Sequence, residues 1–473
     1  MIGEMLQSIA RFLLAEDPVS TTLNRMDGSL EEIDVQLQRW AFSQLDAVHD
    51  FDLGELMSAK MRKILITASQ ISFWKSKFEA MNFDPQKIMS CKEVARLPVS
   101  TRRELSQVNL RDRSNETLST VLLGGFGATS GTTGNPITLY RGKRPGIRSK
   151  ALLRWMVTRI RKEAGLLPNA PMSILNINIK LQRSLYKETM YLDGPDLESA
   201  EKRLNEIYPL LRARRPEIIY TYPSNLKRLM YWLSHDGITL NFLKAIIYTA
   251  EHMDQDEKAA VEHFFHCRVY SFYGTAECAF IAMECAQHNG FHLLKGWGYL
   301  EIASADGAAL PLGRYGRIVY TNFENNATPF IRYDTGDQGM LFDGGSCACG
   351  ISGLKLIVEG RAADLITLPN GVPFTLHRLH GGLSRASRKI LQLQSQEFDD
   401  RIRINIVPAA DFTEDETREL ISVCQETVGA PVPFEINFVK YLAPLPNGKT
   451  PLLIRNRKAA GTSRRTSRHA APS

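Results

Sequence analysis

Short apolar runs alternate with stretches of helical periodicity across the middle of the chain. The runs MSIL (172–175), EIIY (217–220) and AIIYTA (245–250) lie among helical stretches at 152–164, at 201–211 and from Ser224, which is a good N-cap. Strands that alternate with helices are typical of βαβ units. The pattern therefore predicts an α/β fold with mostly parallel sheets, and we see no repeat of fixed period.

The length of 473 residues is long for one domain and predicts two or three. Residues 29–107 have helical spacing, and the composition changes after residue 359, where strands at 402–407 and 434–439 flank a helix at 414–427. We predict a large N-terminal domain over 1–359, which begins with a helical region over about 1–115, and a small α+β C-terminal domain over 360–457. The basic segment 458–473 is predicted to be a disordered tail.

The composition, 44% hydrophobic and 23% charged, is typical of an ordinary globular protein. No apolar run approaches the roughly 18 residues of a membrane span, and the N-terminus lacks the basic start of a signal peptide. We therefore expect a cytoplasmic protein. Six of the seven net positive charges lie after Pro451, so the folded body is nearly neutral and we expect no nucleic-acid partner.

The segment ATSGTTGNP (128–136) has the composition of a phosphate-binding loop. Glycine lets the backbone approach an anion closely, and successive N–H groups and hydroxyls supply donors. The candidate phosphate ligands are Thr129, Ser130, Gly131, Thr132, Thr133 and Gly134. Apolar runs at 121–123 and 137–140 predict that the loop connects a hairpin, and no lysine follows the second glycine as in a Walker A loop. The alternative is an ordinary surface loop.

Three further segments carry groups suited to a nucleotide. TAE (249–251) ends a predicted strand, where ligands bind in α/β sheets. SFYGTAE (271–277) offers an aromatic ring for a base, a hydroxyl for a phosphate and a carboxylate for Mg²⁺. In FIRYDTGD (330–337), Asp337 can accept two hydrogen bonds from vicinal ribose hydroxyls. For the first two segments, an ordinary cap or strand–turn–helix junction is the structural alternative.

Taken together and in this order, these segments resemble the motifs of the adenylate-forming superfamily. The chain looks most like the branch that contains phenylacetate-CoA ligase and its capsule-biosynthesis and coenzyme F390 synthetase-like relatives, over roughly residues 70–455. The resemblance implies a large α/β domain with a small, mobile C-terminal domain, and ATP and Mg²⁺ as cofactors. It also implies that a carboxylic acid reacts with ATP to give an acyl-adenylate and pyrophosphate.

Site residues follow from the resemblance position by position. The segments TAE and SFYGTAE contribute residues that the resemblance places at the nucleotide, namely Ala250, Glu251, Phe272, Tyr273 and Gly274. Glu277 matches the Mg²⁺ ligand and Asp337 the ribose ligand. In the family motif, a residue with a hydroxyl immediately precedes the glutamate. Here Ala276 occupies that position and the hydroxyl lies one residue earlier, on Thr275, so the contact of the hydroxyl with the phosphate is left open. Thr249 likewise replaces a glycine of the family.

A hinge and a catalytic lysine complete the resemblance. EGRAADLI (359–366) matches the hinge motif, in which Arg361 holds the ribose side of the nucleotide. Ala363 replaces the aspartate or lysine pivot of many relatives, which leaves the timing of domain rotation open. Lys449, in PLPNGKT (444–450), matches the lysine that meets the carboxylate and the α-phosphate. A solvated turn is the alternative.

The acceptor and the acid remain open at this stage. For this branch CoA is the first choice, giving a thioester, and an amine is the second. Some relatives activate unusual acids in biosynthetic pathways, even nitrite, and a catalytically silent binding protein is the alternative from another class. Lys180 or Arg183 is a candidate for an acidic substrate group, although a solvated helix face explains both. A homodimer is one option for the assembly.

Four residues suggest a metal centre. Cys285, His292, Cys347 and Cys349 supply three thiolates and an imidazole, which suit a closed tetrahedral zinc site. Members of the phenylacetate-CoA ligase branch have comparable cysteines and histidines, and some hold zinc. His288 is a competing ligand. Four unrelated core or surface positions are the alternative, because the gap between the last two cysteines is tighter than usual.

Overall fold

The structure is a computed structural model. It describes residues 28–115, 126–128, 137–141, 143–167, 174–178, 189–191, 208–209, 211–361, 364–368, 373–387, 389–409, 411–429, 432–440, 442 and 451–455. Within these ranges the chain forms two compact units, which meet in sequence between Arg361 and Asp364. In the part of the chain so described, no helix is both long and apolar enough to cross a membrane.

The first unit begins with helices. These are α1 Gly28–Leu45, α2 Gly54–Ala68, α3 Ser72–Ala80 and α4 Arg102–Ser106. The helical region predicted before residue 107 is confirmed from Gly28 onward. Met61 and Leu65 on α2 and Trp74 on α3 are buried in one cluster with Ile331, so these helices pack beside the segment that leads into RYDTGD.

One large sheet dominates the first unit. Its strands are β3 Ile174–Asn178, β4 Thr189–Tyr191, β5 Ile218–Thr221, β6 Ala245–Thr249, β7 Arg268–Thr275, β8 Ala279–Glu284, β9 Phe291–Leu293, β10 Gly298–Ala303, β11 Tyr315–Asn322, β12 Tyr333–Ser346 and β13 Ser352–Arg361. Among the described residues their order is β10-β11-β12-β13-β9-β8-β7-β6-β5-β3-β4. A separate hairpin pairs β1 Phe126–Ala128 with β2 Thr138–Tyr140.

The α/β class is confirmed, but parallel pairing is confined to one part of the sheet. The strands β4, β3, β5, β6 and β7 pair in parallel, as the alternating pattern predicts. From β7 through β8, β9, β13, β12 and β11 to β10 every pairing is antiparallel, so the expectation of mostly parallel sheets is wrong for this half. These strands follow one another through turns and loops without intervening helices, and short connections join antiparallel neighbours.

Helices cover the parallel part of the sheet. They are α5 Lys143–Glu163, α6 Pro223–His235 and α7 Gln255–Phe265. Helix α5 begins nine residues before its predicted start. Pro145 is compatible with this start because it falls in the first turn, where a missing N–H breaks no helical hydrogen bond. Ser224 is not the N-cap of α6. Tyr222 takes that position and Pro223 begins the helix.

The second unit is α+β. Its elements are β14 Leu365–Thr367, β15 Pro373–Thr375, α8 Leu376–Ala386, β16 Ile390–Glu397, β17 Ile402–Pro408, α9 Glu414–Val428, β18 Phe434–Phe438 and β19 Leu453–Arg455. Within the described ranges, a sheet has the order β18-β17-β16-β19. The strands and the helix predicted between 402 and 439 are confirmed to within a residue. Ile404 and Ile406 alternate inward from β17 against Leu420 of α9, which closes the core.

Candidate functional site

The turn between β7 and β8 presents Glu277. Strand β7 ends at Thr275 and β8 starts at Ala279, so Glu277 lies in a tight turn. A Cβ on Gly274 would lie 2.1 Å from the carbonyl oxygen of Ala279, so only glycine permits this close approach. Thr275 Oγ1 accepts a hydrogen bond from the Cys278 N–H at 3.0 Å, so the shifted hydroxyl stabilises the turn.

Two donors from distant segments hold the Glu277 carboxylate. Arg102 Nη2 and the Tyr333 hydroxyl donate to Glu277 Oε1, at 2.5 and 2.6 Å. The Glu277 side chain is only 1% exposed, which strengthens both charge-assisted bonds. Among the described residues, no hydrogen bond reaches its second oxygen, Oε2. That oxygen has a free lone pair to offer to a cation.

Asp337 sits in a similar arrangement on β12. The Tyr273 hydroxyl donates to Asp337 Oδ2 at 2.9 Å, and lies 3.2 Å from Thr335 Oγ1. Asp337 also pairs across the sheet with Arg361 on β13, whose Nε lies 3.7 Å from Oδ1. The Arg361 side chain is 38% exposed, so this ion pair lies at the rim of the site.

The two motifs are therefore cross-linked reciprocally. Tyr273 of the first motif binds Asp337 of the second, and Tyr333 of the second binds Glu277 of the first. Strands β7 and β12 are not neighbours, since β8, β9 and β13 lie between them. Burial, followed by the charge of the carboxylate that each phenol faces, raises the pKa of both tyrosines, so both stay protonated and donate.

The TAE segment lies at the same edge of the sheet. Strands β6 and β7 run in parallel with Thr249 opposite Phe272, so the segments after their carboxyl ends are adjacent. Ala250 has a left-handed backbone, with a φ of 69°. The Glu251 carboxylate accepts hydrogen bonds from the backbone N–H and the hydroxyl of Ser224, at 2.8 and 2.9 Å. Glu251 thus caps the start of α6.

Phe272 and Tyr273 both point into packed surroundings. The Phe272 ring is 3% exposed and packs edge-on against Phe280, with 5.8 Å between ring centroids. Tyr273 packs against Phe291 and uses its hydroxyl on Asp337. The adenine-pocket role of these residues stays a prediction.

Several predicted residues lie outside the described residues. They are Thr129, Ser130, Gly131, Thr132, Thr133 and Gly134 of the phosphate loop, Lys180, Arg183, Ala363 and Lys449, together with the strand predicted at 121–123. The strands that flank the loop are described, however, and Ala128 pairs with Thr138. A hairpin is therefore confirmed at this point of the chain, but its first described strand is Phe126–Ala128 and not the predicted 121–123.

Three arginines that sequence reasoning missed fix these elements. Arg113 Nη2 donates to the Thr138 carbonyl of β2 at 2.7 Å. Arg141, directly after β2, donates to the Ala276 carbonyl at 2.6 Å, so the hairpin is tied to the Glu277 turn. Arg102 holds Glu277 itself. No motif marks these arginines, because their partners lie 25 to 175 positions away.

The four candidate zinc ligands come together. Cys285 follows β8, His292 lies on β9, and Cys347 and Cys349 lie in the turn between β12 and β13. Their ligand atoms all lie within 4.8 Å of one another. The Cys285 and Cys347 sulfurs are 3.8 Å apart, and Cys349 Sγ lies 3.4 Å from His292 Nε2. Around a tetrahedral zinc ion, two sulfur ligands would lie about 3.8 Å apart, and a sulfur and a nitrogen ligand about 3.5 Å apart.

The surroundings of this cluster suit a metal. The hydrogen bond from the Cys285 thiol lowers the pKa of Cys349, which favours the thiolate form that binds metals. Gly350 has a φ of 86° and its N–H donates to the Cys347 carbonyl at 2.8 Å, which forms the tight turn that presents both sulfurs. His288, the competing ligand, is instead engaged by Glu262 at 3.1 Å.

Sequence comparisons find relatives of low identity. No family model matches the chain. A phenylacetate-coenzyme A ligase from Pseudomonas putida is 30% identical over 141 residues, which is 28% of this chain but only 32% of that enzyme. The Escherichia coli phenylacetate-coenzyme A ligase is 22% identical over 328 residues, or 64% of this chain and 71% of that one. The Thermus thermophilus enzyme is 22% identical over 348 residues, covering 69% and 74%.

Solved structures agree with this grouping. A crystal structure of 2-hydroxyisobutyryl-CoA ligase in the postadenylation state with R3-HIB-AMP matches with a TM-score of 0.69 at 17% identity, over 88% of this chain and 92% of that one. Anthranilate CoA ligase in complex with anthranoyl-AMP matches at 0.51 and 14% identity, over 69% and 65%. The chain therefore shares the fold of these two CoA ligases. Its sequence relatives are phenylacetate-coenzyme A ligases, in agreement with the resemblance that the motifs predict.

Proposed function

We propose that the protein is an AMP-forming ligase that activates a carboxylic acid with ATP and transfers the acyl group to CoA. The phenylacetate-coenzyme A ligases among its relatives support this activity. The observation that carries the proposal is the reciprocal pair of tyrosine bonds, which fixes Glu277 and Asp337. A carboxylate for a metal and a carboxylate for a ribose would then be held at one site.

Two steps make up the proposed reaction. A substrate carboxylate oxygen attacks the α-phosphorus of ATP, the bond to the bridging oxygen breaks, and pyrophosphate leaves. The CoA sulfur then attacks the acyl carbon of the adenylate, AMP leaves, and the thiol proton passes to solvent. Lys449 is proposed to stabilise the charge that develops in the first step. Asp337 and Arg361 are proposed to hold the ribose, which fixes the α-phosphorus relative to the acid.

Glu277 is the proposed magnesium ligand. Magnesium prefers oxygen ligands, and Glu277 Oε2 accepts no hydrogen bond from the described residues. Arg102 and Tyr333 bind the other oxygen, so the carboxylate is oriented before a cation arrives. When bound, Mg²⁺ would neutralise charge on the triphosphate and favour the departure of pyrophosphate.

Zinc is proposed for the cysteine and histidine cluster. Three sulfurs and one imidazole nitrogen match the ligand set of a structural site, and the Cys285–Cys347 and Cys349–His292 separations are close to those of a tetrahedral one. The set is complete without a water, so we assign it no catalytic step. It would join the end of β8 to the β12–β13 turn, and β12 carries Asp337.

The roles of the two domains are also a proposal. We assign the nucleotide site to a domain over 1–359 and the lysine loop to a domain over 360–457, with rotation about the Arg361 to Asp364 segment between the two steps. Ala363 lies in this segment in place of a charged pivot.

A carboxylate panel tests the function directly. Purified protein is incubated with ATP, Mg²⁺ and single carboxylic acids, and pyrophosphate release is measured. CoA and then a set of amines are added to each acid that responds. Acyl-CoA formation together with AMP is the expected result. If an acid releases pyrophosphate but only amides form, the acceptor is an amine and not CoA. If the protein binds ATP but no acid releases pyrophosphate, the result would favour a binding protein.

A further inference from the structure

Arg102 brings a guanidinium to the Glu277 turn from the N-terminal helices. It is the first residue of α4 and lies 175 positions before Glu277. Its Nη2 donates to Glu277 Oε1 at 2.5 Å, while 21% of the Arg102 side chain remains exposed. The carboxylate thus occupies one of the two terminal nitrogens of a planar group that can donate in two directions.

The other terminal nitrogen lacks an acceptor. Arg102 Nη1 is buried, and in the described part of the chain no hydrogen-bond acceptor reaches it. A buried donor without a partner is destabilising, so native sites usually supply a water, an ion or a ligand atom for it. The partner of this nitrogen is therefore a water oxygen or an oxygen that arrives with a ligand.

The local charge identifies the sign of that ligand. Arg141 donates to the carbonyl of Ala276, so a second guanidinium lies beside the Glu277 turn. Two guanidinium groups around one carboxylate leave an excess positive charge. Arginine forms paired hydrogen bonds with phosphate oxygens, which makes a polyphosphate a suitable ligand.

Resting on the proposed function, we propose that Arg102 binds the β- or γ-phosphate of ATP through Nη1 while Nη2 keeps Glu277 oriented for magnesium. The pyrophosphate portion of ATP would thereby contact the N-terminal helical region. AMP lacks these phosphates, so Arg102 contributes to the binding of ATP and pyrophosphate and not to that of AMP.

Calorimetry with two nucleotides separates this role from a structural one. The full chain is titrated with α,β-methylene-ATP plus Mg²⁺ and, separately, with AMP. In Arg102→Ala, the Kd for the ATP analogue is expected to rise ~10-fold or more, whereas the Kd for AMP stays within about twofold. Arg103→Ala is the matched control, because Arg103 is the exposed neighbour, and it should bind both nucleotides like the wild type.

Each other outcome overturns the assignment. An unchanged Kd for the analogue in Arg102→Ala would exclude the phosphate contact. A parallel loss of AMP binding would show that Arg102 only stabilises the structure of the site. Arg102→Met keeps most of the side-chain volume and decides the matter if the alanine variant unfolds. A wild-type protein that binds neither nucleotide would overturn the proposed function itself, and this assignment with it.

Discussion

Tyr333 donates its hydroxyl hydrogen to Glu277 at 2.6 Å, although the two residues are 56 positions apart. The return bond, from Tyr273 to Asp337, spans 64 positions. Each motif thus holds the carboxylate of the other. The positions of the proposed metal ligand and the proposed ribose ligand are coupled, so a change in one tyrosine is expected to affect both.

Tyr333→Phe tests this coupling. The change removes one of two donors to a buried carboxylate, so we expect a stability loss of about 1.5–3 kcal/mol and a higher Mg²⁺ requirement for adenylate formation. Chemical denaturation and a Mg²⁺ titration of pyrophosphate release measure the two effects. Tyr320→Phe is the control, since the buried Tyr320 hydroxyl has no hydrogen-bond partner among the described residues. Equal behaviour of the two variants would contradict the prediction.

Asp337→Ala is expected to weaken nucleotide binding. The ribose hydroxyls would lose a charged acceptor, which is worth roughly 1.5–3 kcal/mol. Calorimetry with an unhydrolysable ATP analogue measures the loss. Asp343→Ala is the control, because Asp343 lies on the same strand but is 49% exposed and pairs with His49. Wild-type affinity in Asp337→Ala would mean that the ribose ligand has been misassigned.

Lys449→Ala is expected to slow acyl-adenylate formation by a factor on the order of 10² or more while ATP still binds. The reason is that the contacts of this lysine strengthen in the transition state. Single-turnover formation of the adenylate gives the rate, and calorimetry gives the ATP affinity. Lys440→Ala, at an exposed position nine residues earlier in the chain, serves as the control. Normal adenylation by the Lys449 variant would remove the proposed catalytic role.

Cys347→Ser is expected to lower the zinc content and the Tm more than the rate of the chemical step at permissive temperature. Structural zinc stabilises the folded chain, and a hydroxyl is a poorer ligand than a thiolate. Elemental analysis and thermal unfolding measure these effects. Cys267→Ser is the control, because Cys267 lies outside the cluster. Fully active, zinc-free wild-type protein, prepared without chelator, would refute the metal centre.

Local sequence was sufficient for the elements whose pattern is local. The βαβ alternation predicted the parallel strands, and the alternating isoleucines of 402–407 predicted β17, because burial of one face requires that spacing. Residue type, spacing and the family resemblance together suggested the four metal-ligand candidates, since soft thiolates and imidazole suit zinc.

Tertiary structure decided what those residues contact. Packing between segments far apart in sequence places Arg102 against Glu277 and Tyr273 against Asp337. It also places Glu251 against Ser224. The antiparallel half of the sheet was missed for a related reason, because strand pairing is set by connections and neighbours and not by the apolar pattern of one strand. The sequence by itself therefore determined the kinds of groups at the site, whereas the fold determined their partners, since side-chain contacts depend on distance in space.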